Sequence, residues 1–371
     1  MSDEGYTADK ATAYQKIKQK LSLFHLVLTP VLLYLALAGP LASALRSGGS
    51  LLGENPFAAV GLYFLLFSVY LFLFDFPLSF YSGFVLEHRF GLSNQSLGAW
   101  LGFLGKRLLI STLFSLALVE ALYALIRHFP DTWWLFAWAG YAFVGYVLGK
   151  IFPVVIVPLF YKYSAVADDA LRERILTLAK RYGLGVENVY SLNLSKTTKK
   201  ANAAFMGLGK TKRVVLSDTL IDNFTHDEIE TVVAHELGHF KHRDIWRQLA
   251  FGLVTSLIGF WIAFRVMGAA ATSWGLEGVS DVGSMPLLFL VFYVFGLALM
   301  PVGNGFSRYM ERGADRFALE ALRRADVFIS CMDKLGKVNL ADPEPNPVYE
   351  WFFYDHPAIG RRIAMAKSFK A

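Results

Sequence analysis

The chain has 371 residues, 55% of them hydrophobic, and a mean hydropathy of +0.41, which excludes a purely water-soluble architecture. A formal charge of +6 would suit a nucleic-acid partner, but the basic residues sit beside apolar runs, where membrane topology and anionic lipid headgroups account for them. No nucleic-acid partner is expected, and the lone Cys331 excludes an internal disulfide or a cysteine-based metal cluster, leaving a buried, unreactive thiol.

From the N-terminus, Lys10, Lys16, Lys18 and Lys20 precede an apolar run near 21–45 without the small-residue cleavage site of a secretory signal, so this run is expected to stay in the mature chain. Further runs near 57–86, 108–126, 132–160, 248–272 and 285–303 each approach or exceed the roughly 20 residues a helix needs to cross a bilayer. Six spans are predicted, four within 1–160 and two within 248–303. The basic N-terminus and the group Arg89, Lys106 and Arg107 fall on one side, whereas the 46–56 loop and the loop carrying Glu277 and Asp281 fall on the other. Basic short loops stay cytoplasmic, which puts both termini, the polar insert 161–247 and the polar tail 304–371 inside.

In the insert, residues 167–181 have helical spacing, and 186–192, 201–206 and 212–217 read as short strands. Thr225 and Glu228 form a capping box that opens the next helix. That helix carries His235-Glu236-Leu-Gly-His239. Histidines four apart project from one face and can share an ion, while the carboxylate between them can take a proton from water that the ion acidifies. A zinc site that keeps one position open needs a third protein ligand. Glu311 and Asp315, also four apart, offer one: Glu311 is assigned to the metal and Asp315 to fixing a ligand histidine. His242 lies two turns along and is assigned a structural or surface role, and His356 is either a capping residue or a donor to the developing oxyanion. Asp75, Glu120 and Lys150 fall within or near spans and are expected to face one another or water; His25 is read as interior or interfacial.

With these residues in place the chain resembles the integral-membrane CAAX prenyl protease 1 family over most of its length. Besides His235-Glu236-x-x-His239, the resemblance rests on Asn304-x-x-Ser307-Arg308-x-x-Glu311-x-x-x-Asp315, on Asn202-Ala203 running into 214–220, on His356-Pro357 followed by Arg362, and on 84–95. It implies that Glu311 is the third zinc ligand, that Asp315 supports a ligand histidine, and that His356 and Arg362 lie near the oxyanion as catalytic residues. It also implies that an edge strand at Asn202, Ala203 and Ala204 holds substrate, and that the spans enclose a hydrophilic chamber. The chain departs from eukaryotic members by starting near their second span, by a shorter 273–303 region, and by Gly102-Phe-Leu-Gly105 where an acidic residue follows the tryptophan equivalent to Trp100.

The fold expected is mainly α: a compact, prokaryotic polytopic protein with about six spans and a cytosolic α+β zinc metalloprotease domain assembled from 161–247 and 304–371. The function expected is removal of C-terminal residues after a prenylated cysteine, with one Zn2+ per chain, a peptide or protein substrate, and membrane lipids as surroundings, in the inner membrane of a bacterium. The alternatives are a quality-control protease of the HtpX type and a non-catalytic lipid-handling protein with structural zinc; the intact Glu236 argues against the latter, because a structural site needs no general base.

Overall fold

A computed structural model describes residues 8–49, 51, 55–183, 186, 188–206 and 213–370. Six of its helices are long and apolar enough to cross a membrane, as expected. They start with α1 (Ala8–Leu37), followed by the short α2 (Pro40–Gly49), and α3 (Pro56–Phe80), which runs through a π-turn into α4 (Leu86–Arg89). Next come α5 (Leu97–His128) and α6 (Trp133–Ile151), the latter continuing through a second π-turn into α7 (Val157–Phe160). The last two are α11 (Asp244–Ala270) and α12 (Met285–Leu322).

Two helices differ in extent from the apolar runs that mark them. The helix that carries the first run begins at Ala8 and ends at Leu37, because the run after Gly39-Pro40 folds into α2 instead of extending α1. The apolar run that ends near 303 lies in a longer helix: α12 continues without interruption through Pro301 to Leu322. A helix that ends its apolar run still satisfies its own backbone, so nothing in the change of polarity stops it. Asp75, Glu120 and Lys150 do not pair with one another, and the Asp75 side chain is 47% exposed and Lys150 is exposed as well. Asp75 pairs with His25 at 2.9 Å, Lys150 sits 4.6 Å over the Tyr146 ring, and Glu120 points at Gly61.

The polar segments form a sheet backed by helices. Strands β1 (Tyr163–Ala165), β2 (Val189–Leu192), β3 (Ala203–Met206) and β4 (Arg213–Ser217) take the order β1-β2-β4-β3, with β2 and β4 parallel and the other pairs antiparallel. Glu187 and Lys212 of the expected strands lie outside the described residues. β1, which the sequence reading missed, is only three residues long and mostly exposed, so it has no apolar alternation to detect. Central β4 buries Val214, Val215 and Leu216, and β3 is left at the edge.

Around the sheet lie α8 (Asp169–Arg181), α9 (Asp218–Asn223), α10 (His226–Lys241), α13 (Ala325–Asn339), α14 (Pro347–Phe353) and α15 (Ile359–Ser368). One apolar core joins α8, the strands, α10, the end of α12, α13 and α15, so the insert and the tail fold as one body. Cys331 lies in it, with its thiol pushed up to about 12 by burial and by the nearby Glu228. The capping box forms: Thr225 N donates to Glu228 Oε2 at 2.9 Å and Glu228 N to Thr225 Oγ1 at 3.3 Å.

Contacts from the membrane half hold the segment that leads into β3. Lys199 N donates to the Leu92 carbonyl at 2.9 Å, and Lys200 Nζ reaches both Glu87 at 2.9 Å and the Tyr14 hydroxyl at 3.0 Å. From the other side Asn339 Oδ1 accepts from Ala201 N at 3.0 Å. The edge strand is thus fixed at its start by α1, α4 and α13.

Candidate active site

The site forms where α10 crosses α12. Close approach requires Gly238: a Cβ there would lie 2.8 Å from Ala314 Cα and 3.1 Å from its carbonyl oxygen, both backbone atoms of α12. Gly238→Ala is expected to push the helices apart, at a cost of about 1–3 kcal/mol. A lower thermal midpoint in detergent together with reduced bound metal would register it; wild-type values for both would show that the approach is not needed.

On α10, His235 and His239 face Glu311 of α12. Their Nε2 atoms are 3.2 Å apart, His235 Nε2 is 3.2 Å from Glu311 Oε2, and His239 Nε2 is 3.2 Å from Glu311 Oε1. These separations match the edge of about 3.3 Å that ligands of a tetrahedral ion subtend at bonds near 2.0 Å. The acceptor Glu311 Oε2 is buried with no hydrogen-bond partner among the described residues. Burial alone would depress the His235 imidazole, but Asp315 and Glu311 outweigh it and hold His235 up at about 9; His239 is raised by Glu311 in the same way. The surroundings therefore stabilise positive charge between these three side chains, and the donor set fits a metal ion.

Each histidine is held from behind by a carboxylate. Asp315 Oδ1 is 2.7 Å from His235 Nδ1, as the sequence reading expected. Asp244 Oδ2 is 3.0 Å from His239 Nδ1, and Asp244 is buried. Sequence reasoning missed Asp244, which opens α11 after Arg243 in the left-handed region (φ 58°). Its only signal was an acidic residue five positions beyond the second histidine, across a chain reversal that periodicity cannot anticipate. With their Nδ1 atoms engaged, both imidazoles present Nε2 to the site.

Arg362 lines the same cleft as Glu236 and His356 and spends its hydrogen bonds on Asp315. Its Nε donates to Asp315 Oδ2 at 2.8 Å and its Nη2 to Asp315 Oδ1 at 2.5 Å, behind His235, and the side chain is buried. A buried carboxylate recruits the nearest guanidinium, so Arg362 braces Asp315 and, through it, His235.

His356 faces Glu311, with its Nε2 3.2 Å from Glu311 Oε1 and its Nδ1 2.9 Å from Asp355 Oδ1. Its imidazole is 54% exposed, which leaves it open to a bound molecule. Two α12 residues place it. Asn304 Nδ2 donates to the Phe352 carbonyl at 2.6 Å, and the buried Arg308 donates to the carbonyls of Glu350 and Trp351 at 3.1 Å each and to that of Tyr354. Asn304, Arg308, Glu311 and Asp315 are spaced 4-3-4, so one face of α12 both supplies the carboxylates and pins the loop bearing His356.

Glu236 opens onto a cleft of about 440 Å3 shared with Asn202, Ala203, His235 and His356. Its Oε2 accepts from Phe205 N of β3 at 3.2 Å. The Asn202 carbonyl accepts from Ser217 N of β4 at 2.9 Å, so by the period-two alternation of a strand the backbone of Ala203 points with that of Phe205 toward the cleft, whereas that of Ala204 points to β4. Of the three residues expected to hold substrate, Ala203 offers its main chain there, and Ala204 does not. His242 ends α10 and packs on Phe317 and Gly313, a structural position as expected.

Comparison with known proteins agrees with this arrangement. A profile of CAAX prenyl protease N-terminal segments, described as five membrane helices, matches residues 4–162, where the described residues hold four long helices and α2. A profile of peptidase family M48 matches residues 166–370. An uncharacterized metalloprotease, YhfN, of Bacillus subtilis is 30% identical over 77% of this chain and 68% of its own length. CAAX prenyl protease 1 of Saccharomyces cerevisiae is 30% identical over 78% of this chain and 68% of its own. The crystal structure of S. mikatae Ste24p shares the fold, with a TM-score of 0.83 at 24% identity, covering 100% of this chain and 90% of that one. With its catalytic half matched throughout and relatives aligned across most of its length, the chain belongs to peptidase family M48 and is a multi-pass membrane metalloprotease.

Proposed function

We propose that this protease uses zinc, held by His235, His239 and Glu311, and cuts extended peptides laid along β3, with a preference for chains ending in a prenylated cysteine and its last residues. The observation that carries the reading is Glu236, hydrogen-bonded to the edge strand and adjacent in sequence to a histidine of the donor triad. A peptide adding to β3 would pair with the free backbone of Ala203 and pass between Glu236 and His356. When bound, zinc would supply Lewis acidity that polarises a carbonyl and acidifies water. Glu236 takes the proton of the attacking water and returns it to the leaving amine. His356 Nε2 donates to the oxygen that gains charge, while Asp355 steadies its other nitrogen. Asp315, Asp244 and Arg362 keep the two imidazoles in register.

The basic N-terminal segment and the group Arg89, Lys106 and Arg107 support an orientation with the site on the cytoplasmic side, in the inner membrane of a bacterium. The segments 1–160, 161–247, 248–303 and 304–371 serve as working divisions, with α12 carried across the last of them. Prenyl preference is supported by the Saccharomyces cerevisiae relative, a CAAX prenyl protease 1. The test is paired peptides, one ending in farnesylated Cys-a-a-X and one unmodified, given to detergent-purified protein whose zinc content is measured. Stoichiometric zinc and a higher kcat/KM on the farnesylated peptide are expected. Equal rates on both would replace the prenyl reading with a general membrane protease of the quality-control type.

A further inference from the structure

A second cavity, of about 450 Å3, opens on the far side of Asp315 from the metal ligands. Its walls come from α12, α14 and α15 and include Arg308, Arg312, Arg361 and Arg362, against two carboxylates, Asp315 and Glu350. Arg362 is paired with Asp315, Arg361 Nε with Glu350 Oε2 at 3.0 Å, and Arg308 with main-chain carbonyls. Arg312 is exposed and has no hydrogen-bond or ion-pair partner among the described residues. Four guanidinium groups thus face two carboxylates, an excess of positive charge around a space large enough for a phosphodiester group and its glycerol.

The position of this cavity relative to the membrane narrows the choice of anion. α14 is tied to α12 at Asn304, just past the apolar run. α14 therefore lies at the level where α12 leaves the bilayer. Beside the cavity at that level, Tyr309, Val348 and Trp351 are 60%, 71% and 55% exposed, apolar and aromatic side chains left open by the described residues. Exposed Trp and Tyr next to arginines at a span's end are the pattern of a membrane interface, where the rings sit among headgroups and the cations meet lipid phosphates. Guanidinium forks match phosphate oxygens two at a time.

We propose that the cavity between α12, α14 and α15 binds the headgroup of an anionic glycerophospholipid, with Arg312 and Arg361 on its phosphate and Trp351 against its glycerol and acyl carbonyls. The site rests on the multi-pass membrane assignment and not on peptide cleavage. Its back wall is the Arg362–Asp315 pair that holds His235, so a headgroup bound there contacts the support of a metal ligand.

The experiment is native mass spectrometry of the full chain released from nanodiscs of equal parts phosphatidylglycerol and phosphatidylcholine, comparing wild type, Arg312→Gln and the double variant Arg312→Gln/Arg361→Gln. Wild type is expected to retain phosphatidylglycerol over phosphatidylcholine, and each variant to lose about tenfold of that retention, as loss of a charged hydrogen-bond donor predicts. Arg312 is solvent-exposed, so its single variant keeps the test open even if the double variant fails to fold. Equal retention by wild type and Arg312→Gln overturns the proposal. So does displacement of the lipid by inorganic phosphate at comparable concentration, which would make this a phosphate site without lipid selectivity. The readout is bound lipid, so it stands or falls independently of any peptidase assay.

Discussion

Glu236→Gln is expected to bind as much metal as the wild type and to lose 10²–10⁴-fold in kcat, the range that removal of a positioned general base costs. Gln keeps the length of the side chain, and its carbonyl oxygen can still accept from Phe205 N, so β3 and the cleft keep their shape. What disappears is the carboxylate's capacity to hold a proton between the attack of water and the departure of the amine. The Nε2 atoms of His235 and His239 and the carboxylate of Glu311 are untouched, so metal content separates loss of chemistry from loss of the site. Metal analysis and single-turnover cleavage on the same preparation decide the matter. A variant that cleaves at the parental rate would remove Glu236 from the role of base.

Asp315→Ala is expected to be the most disruptive single change near the site. Asp315 is fully buried and serves two partners, His235 Nδ1 and the guanidinium of Arg362. Removing it leaves Arg362 buried without a counter-charge, and breaking a buried pair from one side costs about 3–5 kcal/mol. His235 also loses the contact that aims its Nε2, a change that lowers metal affinity by about 10–100-fold. The variant should unfold at a clearly lower temperature in detergent and give up its metal to a weaker chelator. Asp315→Asn, which still accepts from Arg362, should recover part of the stability. If Asp315→Ala keeps the parental midpoint and metal affinity, the support of His235 must come from elsewhere.

Much of this site was legible in the sequence because it is written in helical periods. His235 and His239 four apart, Glu311 and Asp315 four apart, and the capping box at Thr225 each need only one helix to be recognised. The six spans were legible because a bilayer sets a minimum length for an apolar run. What depended on tertiary meetings was not. Asp244 reaches His239 across a chain reversal at Arg243, and Arg362 is drawn to Asp315 by burial, a contact that neither spacing nor the resemblance supplied. Asp75 found His25 on another helix instead of Glu120 or Lys150, because a charge in a span pairs with whatever partner packing brings to its level. The length of α12 beyond 303 was not legible for a different reason: hydropathy reports the solvent around a helix, and a helix can change solvent without ending.

That last property gives α12 a mechanical character. The same rod that lies in lipid ends in the carboxylates of the reaction centre, and past its first turn the residue in it that cannot donate a backbone hydrogen bond is Pro301, ten positions or about 15 Å before Glu311. A span adjusts to the thickness of its bilayer by tilting. Any tilt of the lower half of α12 either bends the helix at Pro301 or swings Glu311 relative to the histidines of α10. Lipid contact and a ligand of the donor triad thereby share one continuous helix, with Pro301 between them.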